Sequence, residues 1–345
     1  MNIVLDTNVI RQDMMLRGTR TGVVLDYVKK TRSKVVMPKV VYEEIEAVYE
    51  RELARRLHKL RQGVEDVSSI LMDGPIVARD VNLSKQVNEY MLHLRRTLDF
   101  EESDIVPYKG EYIQEVMRRS IHRVKPCSDQ GKEMRDAILW LTLLDIAAVS
   151  DGKEIAFISA NVRDFGLEGR LHPELAEDAK NRGVTVHYYR SNDDFIRSRA
   201  AAVEYISKDW VRAAVPQQEI NSQVVALFDA DDGKILTKWA RRELGGVLTS
   251  VSPTVAEMSL EDFYVYEKTD GSHYVSATYN GELEVEIELD IEEEPGQLHD
   301  DSLTRHEAGK GAFYGYPCLD VYISIGIDVR DKLVTAHSVL DWGVS

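Results

Sequence analysis

Cysteine is nearly missing from these 345 residues: only Cys127 and Cys318 occur, far apart and without a CxxC partner. That excludes a disulfide-stapled framework and a cysteine zinc site, and it suits a reducing, cytoplasmic compartment. Long hydrophobic runs are missing as well. The longest, AILWLTLLDIAAV (137–149), is interrupted by Asp145, so no membrane-spanning segment is expected. The opening MNIVLDTNVI has neither a basic n-region nor an extended apolar h-region, so no secretory signal is expected. No Walker loop, GxGxxG or Ser-His-Asp series supports nucleotide, dinucleotide or triad chemistry. His58, His93 and His122 are scattered and read as surface residues, and no internal repeat is present.

What the sequence holds is a soluble globular composition, 43% hydrophobic and 30% charged, on a chain long enough for two domains. Its net charge of −16 is uneven. Residues 1–200 hold 32 acidic and 32 basic side chains, whereas residues 201–345 hold 27 and 11. A polyanion would be repelled by the second part and could be received by the first.

The first part alternates strand and helix signals. Strands are expected at Ile3–Asp6, Lys34–Met37, Ile155–Ser159 and Val184–Tyr189. Helices are expected over Gly22–Thr31, from Pro38 to about Gly63, onward through Leu98, and over Glu111–Arg123 and Lys132–Val149. Phe100–Gly110 reads as an acidic loop. Short β-branched strands separated by helices imply a central parallel sheet covered on both faces, an α/β class. From about Leu248 the pattern changes to period two. Leu283, Val285, Ile287, Leu289 and Ile291 alternate with Glu282, Glu284, Glu286, Glu288 and Asp290, the signature of an antiparallel sheet with one wet, acidic face. Asp270-Gly271, Asn280-Gly281 and the region of Asp331 are the expected hairpin turns. Glu292–Asp301 reads as a loop. The expected organisation is a domain over 1–195 with a helical insertion at about 62–127, a helical linker over 196–247, and an acidic antiparallel β domain over 248–345.

Four places in the first part put an acid where a core segment does not want one. VLDTNVI ends a buried strand in Asp6, Thr7 and Asn8. In PKVVYEEIEAV, Val41, Ile45 and Val48 share one helical stripe. Glu44 leans on that stripe while Glu43 points away. GKEMRDAILWL places Asp136 in the first turns of a helix that is apolar nearly all round. Asp129 and Glu133 precede it on roughly the same face, one of them an N-cap, Asp129 favoured, and the other a candidate to join the site. FISANVRDF ends a buried strand in Ser159 and Asn161, with Asp164 three residues on. Each acid alone also reads as a helix cap or a favourable charge near a helix N-terminus. Together they gather at strand C-termini and inward helix edges, where an open parallel sheet binds ligands. Carboxylates gathered there raise one another's pKa unless a cation neutralises them. All-oxygen ligation suits Mg²⁺ or Mn²⁺.

LDTNVI, the acid of VVYEEI, the Asp of RDAIL and the S-x-N-x-x-D-F of SANVRDF occur in the order found in PIN-domain nucleases, and residues 1 to about 190 resemble that family. The resemblance implies a PIN-like α/β/α sandwich that cleaves single-stranded or structured RNA, less often DNA, with Mg²⁺ or Mn²⁺. It implies Asp6, Glu44, Asp136 and Asp164 as metal ligands and catalytic residues, with Asp129 and Glu133 as further candidates. Thr7, Asn8, Ser159 and Asn161 would orient them, and the products would carry 5′-phosphate and 3′-hydroxyl ends. The stretch Ile45–Arg135 is longer than in the smallest members.

A nuclease also needs cations for the phosphate backbone. RRSIHRVK supplies Arg118, Arg119, Arg123 and Lys125. The helix YERELARRLHKLR supplies Arg51, Arg55, Arg56, Lys59 and Arg61, a face that also pairs with its own glutamates. The expectation is therefore a metal-dependent endoribonuclease of toxin or phage-defence type, with RNA as substrate and an acidic β domain for self-assembly or a regulator. The alternatives are a catalytically silent PIN-like scaffold that binds RNA or protein, and a single-stranded DNA nuclease.

Overall fold

The structure, a computed structural model of the chain, describes all residues except 73, 75, 78, 128–132, 202, 231–246, 291–302, 305–311, 316–317 and 345. Asp129, Lys132 and the expected 292–301 loop lie outside the described residues. The chain divides into two compact units, Met1–Ser198 and Arg199–Ser345.

The first unit opens with β1 (Asn2–Leu5), α1 (Thr7–Gln12), α2 (Thr19–Thr31) and β2 (Lys34–Val35). β3 (Met37–Pro38), α3 (Lys39–Ser68), α4 (Leu83–Leu98), β4 (Ile105–Val106) and α5 (Tyr112–His122) follow. α6 (Met134–Val149), β5 (Glu154–Ile158), α7 (Val162–Phe165), β6 (Gly166–Leu167) and β7 (Arg170–Leu171) come next, and α8 (Pro173–Asn181), β8 (Thr185–Tyr189) and α9 (Asn192–Arg197) complete it. The main sheet has the order β2-β1-β5-β8 with every pair parallel. Successive residues of β1 and β5 are buried whichever face they point to, Ile3, Val4, Ile155 and Phe157 completely. That is why these strands read as unbroken apolar runs. α6 is buried nearly all round, with Trp140 and Leu143 fully enclosed. The chain leaves β1 for β2 on one side and comes back to β5 on the other. A topological switch therefore lies between β1 and β5, and the C-terminal ends of these two strands are where an open parallel sheet takes its ligand.

Two local expectations change. α3 runs past Gly63 to Ser68, because one interior glycine costs only about 1 kcal/mol, which a helix of this length absorbs. The stretch expected to be loop between Phe100 and Gly110 contains β4, which pairs in parallel with β3 through Met37 and Ile105.

The second unit begins with α10 (Lys208–Ala214) and α11 (Gln217–Ala230) and continues with β9 (Val247–Glu267), β10 (His273–Asp290), β11 (Leu303–Thr304), β12 (Ala312–Gly315), β13 (Cys318–Arg330) and β14 (Leu333–Val344). The pairs are antiparallel, with β10 between β9 on one edge and β13 and β12 on the other. Val211, Val215, Ile220, Val224 and Phe228 of the helices share one core with Val275, Ala277, Leu283, Val285, Ile323 and Ile325. On β10, Leu283 and Val285 are fully buried while Glu282, Glu284 and Glu286 are exposed, the alternation of a sheet wet on one face.

Asp270-Gly271 does turn the chain, with Gly271 at φ 77°. So does Asp331-Lys332, where both residues adopt positive φ (52° and 65°), the type I′ geometry that suits a two-residue hairpin. Asn280-Gly281 does not. Both sit in the middle of β10, paired to Ser259 and Met258 on one side and to Tyr322 and Val321 on the other. The glycine serves close approach rather than a turn: a Cβ there would lie 1.9 Å from the Glu257 carbonyl oxygen. Gly281→Ala is expected to destabilise the second unit by about 1–3 kcal/mol, the usual cost of forcing an atom into a packed site. A urea melt followed by tryptophan fluorescence, to which Trp210 and Trp342 of this unit contribute, would register the loss.

Candidate active site

The site is built at the β1–β5 switch. The Asp6 amide donates to the Ile158 carbonyl at 2.9 Å, so the two strands stay paired to their last residue. Asp6 is the N-cap of α1, with Oδ1 accepting the Thr7 amide at 2.7 Å. Its Oδ2 accepts Ser159 Oγ at 2.5 Å and Asn8 Nδ2 at 2.7 Å. Asn8 Oδ1 accepts the Ala160 amide at 2.9 Å, and Ser159 Oγ accepts the Asn161 amide at 3.1 Å. Tyr188 holds the Ser159 carbonyl from β8, its hydroxyl donating at 2.9 Å. Cap and site are the same residue here: the polar side chains that end β1 and β5 bond across the switch and fix the Asp6 carboxylate.

Three further acids face the same crevice from three helices. Val41 and Ile45 bury one face of α3, and Glu44 leans inward from it while Glu43 stays exposed. Glu44 Oε2 accepts Thr7 Oγ1 at 2.9 Å, and its Oε1 accepts Arg135 Nη1. Asp136, in the first turn of α6, accepts Asn161 Nδ2 at 3.3 Å. Asp164 of α7 is only 2% exposed and is met by Arg163, Nε to Oδ1 at 3.2 Å and Nη2 to Oδ2 at 3.3 Å. Glu133 joins the rim through Arg163 Nη2, 3.3 Å from its Oε1.

Electrostatics shows that these acids act on one another. Burial, and then the charges of Asp6, Asp164 and Glu44, push Asp136 up to about 7, against the pull of Arg135. Burial also pushes Asp6 up to about 6, with Glu44 adding to the rise although Ser159, Thr7 and Asn8 donate to its oxygens. Negative charge is concentrated here beyond what the surrounding donors balance. In donor chemistry the set fits a hard divalent cation: carboxylate oxygens alone, clustered and partly desolvated. In arrangement, among the described residues no three Asp, Glu, His or Cys side chains converge closely enough to enclose an ion. Glu44 is turned to Arg135, and Asp164 to Arg163.

The expected basic surface is only partly surface. Arg118 pairs with Glu115 at 2.7 Å. Arg119 corrects the expectation outright: it is 3% exposed, donating to Glu115 at 2.7 Å, to Asp178 and to the Lys125 carbonyl. It ties α5 to α8 and has no face to offer a phosphate. Arg123 is exposed, and Lys125 reaches α7, its Nζ donating to the Arg163 carbonyl at 2.8 Å. Arg55 and Arg56 both pair with Glu52 on their own helix. Sequence reasoning passed over Arg135 and Arg163, although each directly precedes an acid of the set, in RDAIL and in VRDF.

Residues 3–165 match a family model described as a PIN domain. No curated protein and no solved structure matches the chain. The first unit, a parallel sheet flanked by helices, has the PIN-like α/β/α architecture, and the second unit is unmatched.

Proposed function

We infer, from a chain that carries a PIN domain over residues 3–165, a metal-dependent endoribonuclease. PIN domains are generally nucleases and typically use divalent ions. The observation that carries the reading is that Asp6, Glu44, Asp136 and Asp164, supplied by four separate segments, lie close enough together for the other three to raise Asp136. These four would hold Mg²⁺ or Mn²⁺, which when bound supplies an acidified water and positive charge for the scissile phosphate. The rest is work for the chain's own groups. Ser159, Asn8 and the Thr7 amide hold Asp6 in one orientation. Thr7 Oγ1 holds Glu44, and Asn161 holds Asp136. Orientation of this kind supplies much of what a phosphoryl-transfer site must provide.

RNA is the favoured substrate over single-stranded DNA, and toxin or phage defence the favoured role. The acidic second unit is read as the part that assembles with a second copy or a regulator, not as an RNA surface. Among the described residues no helix is long and apolar enough to cross a membrane. The cytoplasm is the proposed location.

Cleavage of end-labelled RNA and single-stranded DNA with Mn²⁺, with EDTA, and with Asp6→Asn as control tests the reading directly. Metal-dependent cutting that the variant loses supports it. No cutting of either strand, with no effect of metal on the fold, favours the silent scaffold. Millimolar Mn²⁺ is also expected to stabilise the protein. At a hundred times the dissociation constant the gain is about 2.7 kcal/mol, and differential scanning calorimetry would record a rise of roughly 5–10 °C that EDTA reverses.

A further inference from the structure

Two arginines stand over the acid cluster, each one residue before an acid that belongs to it. Arg135 Nη1 donates to Glu44 Oε1 from the start of α6. Arg163 spans both oxygens of Asp164 and reaches Glu133 as well. The arginine side chains are 70% and 71% exposed, whereas Glu44, Asp164 and Glu133 are 24%, 2% and 12% exposed. The cations therefore lean in from the solvent rim onto carboxylates that face inward. The basic residues of α5 are committed elsewhere, Arg118 to Glu115 and Arg119 to a buried network.

The Arg135–Glu44 pair is open to solvent and weak, worth at most about fivefold in an equilibrium, and Arg163 meets the buried Asp164 with a guanidinium that is itself largely solvated. A divalent ion competing for the same carboxylates would displace both guanidinium groups easily. Once displaced, they stay tethered beside the ligands. A guanidinium is always charged, and its planar fork matches two phosphate oxygens at once.

We propose that Arg135 and Arg163 are the residues that bind the substrate's phosphate backbone, latched onto Glu44 and Asp164 in the cation-free chain and released to the nucleic acid when a cation takes those carboxylates. The proposal rests on the nuclease reading of the same site. It accounts for two acids of an otherwise suitable donor set being turned to arginines instead of to one another.

The test uses full-length Arg135→Gln, Arg163→Gln and the double variant, each compared with wild type well below its own melting temperature, because the Arg163 change leaves the buried Asp164 without its nearest cation. Calorimetric titration with Mn²⁺ alone should show tighter binding, up to about fivefold for each single variant and on the order of tenfold for the double. Fluorescence anisotropy with a short labelled single-stranded RNA, Ca²⁺ as the cation and a salt series, should show weaker binding. The slope of log affinity against log salt should flatten by roughly 0.7 for each arginine removed. Arg163→Lys, which keeps the charge without the fork, should return Mn²⁺ affinity toward wild type and only part of the RNA affinity. A structural role would not move the two affinities in opposite directions. Unchanged or weaker Mn²⁺ binding in the double variant, or an unchanged salt slope, overturns the proposal. A DNA strand of the same sequence, run in parallel, separates recognition of any phosphate backbone from preference for RNA. Cleavage is read separately. A wild type that follows both arms but cuts neither strand sinks the nuclease reading and leaves the arginine assignment standing.

Discussion

Asp136→Asn is expected to abolish cleavage and, at the same time, to raise the melting temperature of the metal-free protein at pH 8. Asp136 is held at about 7 instead of near 3.8 by burial and by three neighbouring acids. For a group raised in the folded state, its stabilising contribution is complete below the ordinary value and is lost as pH rises through the folded one. The metal-free wild type should therefore lose stability between about pH 4 and pH 8. The ceiling is ~4 kcal/mol if nothing relaxes; solvent access and coupling to Asp6 reduce the expected loss to about 2 kcal/mol. Asparagine is nearly isosteric and keeps an oxygen for Asn161 Nδ2, yet carries no charge. The variant should melt roughly 4–8 °C higher than wild type at pH 8 without metal, and the two should converge near pH 4. With Mn²⁺ the order should reverse, because only the wild type gains from binding. Cleavage should fall by about 10³-fold or more. Combining the change with Asp6→Asn or Asp164→Asn should add little, as for groups that act as a unit. A metal-free Asp136→Asn that melts below wild type at pH 8 would show that the acids do not strain the fold.

Arg119→Ala is expected to be among the more damaging changes of a charged residue in the first unit, with no specific effect on nucleic-acid affinity. The guanidinium is enclosed and donates to Glu115, Asp178 and the Lys125 carbonyl. Asp178 in turn accepts Trp140 Nε1 at 3.1 Å, so one fork links α5, α8, α6 and the segment after α5. Removing Arg119 leaves Asp178 without its guanidinium, although Glu115 keeps Arg118, and breaking such a network costs about 3–5 kcal/mol. The lower end applies here because Glu115 and Asp178 retain about 30% exposure. A fall of about 6–12 °C in the melting temperature follows for a unit of this size. Lysine's three N–H groups radiate from one nitrogen and cannot span the spread of acceptors that the guanidinium fork reaches, so it should recover less than half of the loss. If Arg119→Ala instead melted like wild type but flattened the salt slope of RNA binding, the residue would be a phosphate contact after all.

Much of the local structure was legible along the chain because it rests on local patterning. Ile3–Leu5 and Ile155–Ile158 are apolar without alternation because both faces of their sheet are covered. Glu43 and Glu44 could be told apart by 100° of helical rotation, and their exposures agree. Turn chemistry was right where the two strands it joined were otherwise free to pair, at Asp270-Gly271 and Asp331-Lys332. It failed at Asn280-Gly281, since a glycine needed for positive φ and one needed for close backbone contact are the same letter. Arg119 was misread for a related reason: a charged residue among other bases looks solvated until its own buried acceptors are known.

By itself, the sequence determined the kinds of element, the two differently charged parts, and the four acids with the polar residues that flank them, because each depends on a few consecutive side chains. Only the tertiary structure decided which of those groups meet. Asp6 and Ser159 bond across 153 positions, and Glu44 and Arg135 across 91. Such meetings are set by strand order, not by spacing. Placing β5 beside β1, with α3, α6 and α7 at the same end of the sheet, brings four ordinary caps and edges from separate segments into one another's electrostatic reach.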